Sequence, residues 1–135
     1  KLSLKYCWLC ILNGNKRCLK KIDKIKGKLG ENVVEEIANQ IPKILEKNFI
    51  EFNNFKSAFK LGFWFENFSP EIDYEQSYLW YSVSVSGGIY RAMKLRDRVG
   101  EEIEAEKIVE LQTKAEEILT KNKYFNQREK TEGNI

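Results

Sequence analysis

An ungapped match of the chain to itself, displaced by 74 residues, limits the possible folds more than any other feature of the sequence. In that register Ser3 falls on Ser77, Gly14 on Gly88, Arg17 on Arg91, Lys20 on Lys94, Asp23 on Asp97 and Glu36 on Glu110. The run Ile44-Leu45-Glu46-Lys47-Asn48 falls on Ile118-Leu119-Thr120-Lys121-Asn122. Apolar positions follow: Tyr6 with Trp80, Ile25 with Val99, Leu29 with Ile103, Val34 with Ile108, Ile37 with Leu111. A register held this long points to a duplicated structural unit.

Inside each copy the apolar period is helical. Val33, Val34, Ile37, Ile41, Ile44 and Leu45 recur at spacings of three and four, as do Ile103, Ile108, Leu111, Ala115, Ile118 and Leu119. Gly14 and the Gly87-Gly88 pair are helix stops, each followed by a new amphipathic run. Tyr81–Ser86 alternates as a strand would, but its counterpart Cys7–Leu12 does not, so both read as helix. Pro42 removes one backbone donor from its helix and predicts a kink. The pattern predicts an all-α chain of about seven helices, over 2–12, 16–27, 31–47, 52–67, 73–86, 89–99 and 103–122. One domain spans 1–125, with copies at about 2–50 and 51–125, the first lacking its first helix, and 126–135 reads as a disordered polar tail.

The segment Ser57–Ala92 resembles a Sel1-like repeat, a helix pair related to the tetratricopeptide. Ser57, Leu61-Gly62 and Phe65 match the first half of its pattern, and Asp73, Ser77, Trp80, Ser84, Gly88 and Ala92 the second. Gly62 and Ser77 lack bulk, so two antiparallel helices can approach there, with Leu61, Phe65 and Trp80 filling the space around them. The stretch from Ala92 to Gln112 is similar to the helix pair that closes such arrays. The resemblance implies a right-handed α-α superhelix, a solenoid that works by protein–protein interaction, as an adaptor, a scaffold or a bacterial immunity-type binder.

On that resemblance Phe59 and Phe63 fall where tetratricopeptide-like helices line a concave face, together with Lys56, Glu66 and Asn67. An apolar strip rimmed by polar groups suits a bound peptide or protein. The same phenylalanines could instead pack on a preceding helix pair. Cysteine-rich relatives staple helices at a spacing like that of Cys10 and Cys18, which implies a disulfide. The alternative is free thiols, since these positions correspond to the small residues Ser84 and Ala92.

Chemistry finds little support. The chain has no histidine, no glycine-rich phosphate cradle and no fourth cysteine to complete a zinc set with Cys7, Cys10 and Cys18. No catalysis, cofactor or metal is expected, and a hydrolase of the cysteine-rich Sel1-like kind would need a nucleophile and base that are not evident. Charge is unevenly spread. Residues 1–28 carry nine Lys/Arg against Asp23, and 101–117 carry seven Glu against Lys107 and Lys114. Lys16 to Lys28 therefore offer a second function, electrostatic binding of nucleic acid. No apolar run is long enough for a membrane span. A cytoplasmic location is favoured, with export open because the first residue is not Met.

Overall fold

The computed structural model describes residues 2–133, with side chains from Leu4 to Lys123. It contains α1 (Leu2–Leu12), a 3-10 turn (Lys16–Cys18), α2 (Leu19–Lys28), α3 (Glu31–Phe52), α4 (Phe55–Asn67), α5 (Tyr74–Ser86), α6 (Ala92–Gly100) and α7 (Ala105–Gly133). Among the described residues there are seven α-helices and no strand. The chain forms two compact units, 1–44 and 45–135, which divide inside α3. The reason is Phe49. It is fully buried and meets Phe55 and Trp80 edge-on, at centroid distances of 5.5 and 5.7 Å, which ties the end of α3 to the second unit. Residues 126–133 continue α7, while 134 and 135 lie outside the described residues.

In the first unit, α1 ends in a glycine cap and folds back through the 3-10 turn onto α2. Gly14 takes φ +97, which an L side chain rarely adopts. Its N–H donates to Ile11 O and the Asn15 N–H to Cys10 O, a Schellman closure. Leu4, Cys7, Trp8, Ile11 and Leu12 of α1 are buried, as are Ile22 of α2 and Ile37, Ala38 and Ile41 of α3. Helix α3 continues through Pro42.

The second unit is built around α5, which packs on α4, α6 and α7. Every residue from Ser77 to Ser84 is buried. A helix surrounded on all sides has no polar face, so it shows no helical period, and a short accidental alternation stands out instead. This explains the strand-like Tyr81–Ser86. Each end of the α4–α5 hairpin is fixed by a side chain. Asn54 Oδ1 accepts from the N–H groups of Lys56 and Ser57, and Asp73 Oδ1 from that of Gln76, at 3.0 Å. The loop between the helices contains no glycine. It closes with Ser69 N–H on Trp64 O and Asp73 N–H on Phe65 O.

At the centre of that hairpin, Ser77 Oγ donates to Gly62 O at 2.8 Å, both residues being buried. The Tyr81 ring lies directly against Gly62. Leu61 and Trp64 are buried beside it, each stabilising by about 1.5–3 kcal/mol.

Several backbone features recur 74 residues apart. Gly88 takes φ +95, and the N–H groups of Gly87, Gly88 and Ile89 bond Ser84 O, Val85 O and Ser84 O. Asn13, Gly14 and Asn15 do the same to Cys10, Ile11 and Cys10. Leu29 to Lys26 and Val34 to Gly30 match Ile103 to Gly100 and Ile108 to Glu104. Glu31 opens α3 and Ala105 opens α7.

A methyl group at Gly62 would stand 2.5 Å from Tyr81 Cδ1, whereas one at Gly27 in α2 would meet nothing within 4 Å. Gly62→Ala is therefore expected to destabilise by about 1–3 kcal/mol despite its helix propensity. Gly27→Ala is expected to stabilise by about 0.5–1 kcal/mol. Urea denaturation midpoints decide it. Equal effects at the two sites would mean that α4 and α5 are not in close contact.

Candidate protein-binding face

Lys56, Phe59, Lys60, Phe63 and Asn67 recur at three and four along α4, so they share one side of the helix. The opposite side of α4 (Ser57, Ala58, Leu61, Gly62, Trp64) is buried. Phe59 and Phe63 are half-buried, unlike the core phenylalanine Phe49. Their rings stack at 6.4 Å with planes 25° apart. Tyr81 extends this row at one end, 5.7 Å from Phe59, and Phe68 at the other, 5.8 Å from Phe63. Arg91, at the start of α6, holds its guanidinium carbon 4.5 Å from the Phe59 centroid, a cation–π contact.

Glu66 lies one turn beyond Phe63 and has an internal role. Its Oε1 accepts from Tyr81 Oη at 2.8 Å, and its Oε2 from Arg98 Nη2 at 2.6 Å and Nε at 3.1 Å. The carboxylate side chain is only 9% exposed, while Arg98 is 59% exposed. Burial and the Glu66 bond push the Tyr81 phenol far above its usual pKa, so it remains a donor. Asn67 Nδ2 donates to Phe63 O at 3.1 Å, which occupies part of its amide within α4.

Two contacts cross from α4 to α6, Phe59 with Arg91 and Glu66 with Arg98, and each joins residues 32 apart. Equal offsets mean that α6 runs parallel to α4 along this face.

Of the residues that sequence reasoning places here, Lys56, Phe59 and Phe63 lie together with exposed or half-exposed side chains. Glu66 and Asn67 are adjacent but bonded within the fold. Lys60, Arg91 and Arg98 were missed. Lys60 was legible from its spacing, four residues after Lys56. The arginines were not, because nothing in the α6 sequence states which of its residues reach α4. Burial, with the like charge of Lys56 adding to it, lowers the Lys60 pKa.

Cys7, Cys10 and Cys18 are free thiols in this structure, Cys7 buried and the other two half-buried. Burial first, and the neighbouring Cys18 thiol second, raise the Cys7 pKa. Lys16, Arg17, Lys20, Lys21, Lys24, Lys26 and Lys28 are exposed, forming a solvated basic surface on the first unit. Among the described residues no cluster of three metal-ligating side chains occurs, and no helix is long and apolar enough to cross a membrane. Compared with known proteins, the chain matches no family model, no curated protein and no solved structure.

Breaking the Tyr81–Glu66 bond leaves a shielded carboxylate short of one donor. Tyr81→Phe is expected to cost about 1.5–3 kcal/mol. Arg98→Met takes two charge-assisted donors from the same shielded carboxylate and is expected to cost at least as much, about 2–4 kcal/mol. Urea unfolding of both variants checks this, and a loss under about 0.5 kcal/mol in either would mean that Glu66 is solvated rather than held.

Proposed function

We propose that the chain is a non-catalytic protein-interaction module, an adaptor, scaffold or immunity-type binder, that holds a partner peptide or domain along the α4 face. The observation that carries this reading is the half-exposed stack of Phe59 and Phe63, backed by Tyr81 and ringed by cations. Rings of this kind offer apolar area to a partner, and because they are fixed in the free protein they lose little entropy on binding. Catalysis has no comparable constellation to start from.

The architecture we propose with it is a right-handed α-α superhelix of the Sel1-like type, built from two copies of a 74-residue unit. The recurrence of the glycine caps and of the hydrogen bonds around them supports the duplication. The parallel run of α4 and α6, with α5 antiparallel between them, is the local geometry of stacked helix hairpins. The close approach of the two helices at Gly62 and Ser77 supports the packing that the resemblance implies there.

A capture experiment from source lysate, read by mass spectrometry, tests the binding role. Wild-type protein is compared with Phe63→Ser and with the double variant Phe59→Ala/Phe63→Ala. A partner is expected to be retained by wild type and reduced at least about tenfold by either variant, the loss of a buried aromatic anchor costing about 2 kcal/mol or more. Circular dichroism shows whether each variant remains folded. Identical capture by wild type and folded Phe63→Ser would remove the α4 face from the function.

A further inference from the structure

The charged groups that α4 and the start of α6 bring to the side of Phe59 and Phe63 are Lys56, Lys60 and Arg91, all cations. Helix α4 contains a single carboxylate, Glu66, and both of its oxygens are engaged by Tyr81 and Arg98. The other charged groups of α4 are Lys56 and Lys60, both on the side that carries the two rings. Arg91 adds a third cation from α6, directly over Phe59. The one acid of α6, Asp97, sits 3.4 Å from Arg96. Apolar rungs flanked by cations are complementary to a segment in which carboxylates alternate with apolar side chains.

We infer that the α4 face takes an acidic peptide segment, its carboxylates on Lys56, Lys60 and Arg91 and an apolar side chain against Phe63. The inference rests on the protein-binding role proposed above and names the chemistry of the partner. Single-stranded nucleic acid is also drawn to cations and aromatic rings, but its bases need open ring faces on which to stack. Here Arg91 covers Phe59, and Phe63 is stacked on Phe59 and flanked by Phe68. What remains accessible suits a side chain more than a base.

Fluorescence anisotropy of the whole chain tests this with three labelled probes: a peptide alternating glutamate and leucine, its glutamine-for-glutamate counterpart, and oligothymidylate. The glutamate peptide is expected to bind most tightly and to weaken with added salt. Lys60→Gln/Arg91→Gln is expected to weaken it roughly tenfold. Phe63→Ser is expected to weaken both peptides. Equal binding of the two peptides, lost in Phe63→Ser, would overturn the acidic preference and leave the protein-binding role standing. Failure of the glutamate peptide to bind, or tighter binding of oligothymidylate, also overturns the inference. If the double charge variant does not fold, the comparison of the two peptides on wild type decides alone.

Discussion

The approach of α4 to α5 at Gly62 is the contact on which the second unit depends. It requires a residue without a side chain on one helix, a small hydroxyl on the other and a flat ring to close the gap. Gly62, Ser77 and Tyr81 supply these. The Ser77 hydroxyl is buried without penalty because it donates to the Gly62 carbonyl. The Tyr81 ring is fully buried, yet its hydroxyl reaches Glu66 near the surface. One residue therefore links the close approach at Gly62 to the edge of the α4 face.

That link determines which groups α4 leaves on its outer side. With Tyr81 and Arg98 holding its only carboxylate, α4 is left with a cationic, aromatic side. Arg91 and Arg98 come from α6, seven residues apart, and meet Phe59 and Glu66, also seven apart. Two turns of one helix are thus aligned with two turns of another. The face is composite: its rings come from α4 and part of its charge from α6. Helices hold both, so the proposed binding would need little rearrangement.

Helix positions were largely legible in the sequence because caps and periods are local. Asn54 and Asp73 cap their helices through their own side chains, and Gly14 and Gly88 end theirs at positive φ. Long-range pairing was less legible. Tyr6 and Trp80 occupy matching positions, yet Tyr6 is 64% exposed and Trp80 5%, since Trp80 has Phe49 as a neighbour. The self-match records backbone equivalence and says nothing about which surfaces are covered. Glu66 fell on the right helix face but was expected to meet a partner. Only the fold brings Tyr81 and Arg98 to it, from 15 and 32 residues away. The cysteines show the same limit, since their spacing does not state that Cys18 lies beside Cys7.

The claim that α4 presents one composite binding face is tested most directly by amide chemical-shift mapping. Isotope-labelled protein would be titrated with the alternating glutamate–leucine peptide. The account predicts shifts concentrated at Phe59, Lys60 and Phe63 and at Arg91, with the lysines of α2 unchanged. Shifts centred on Lys20 to Lys28, or none along α4, would contradict it.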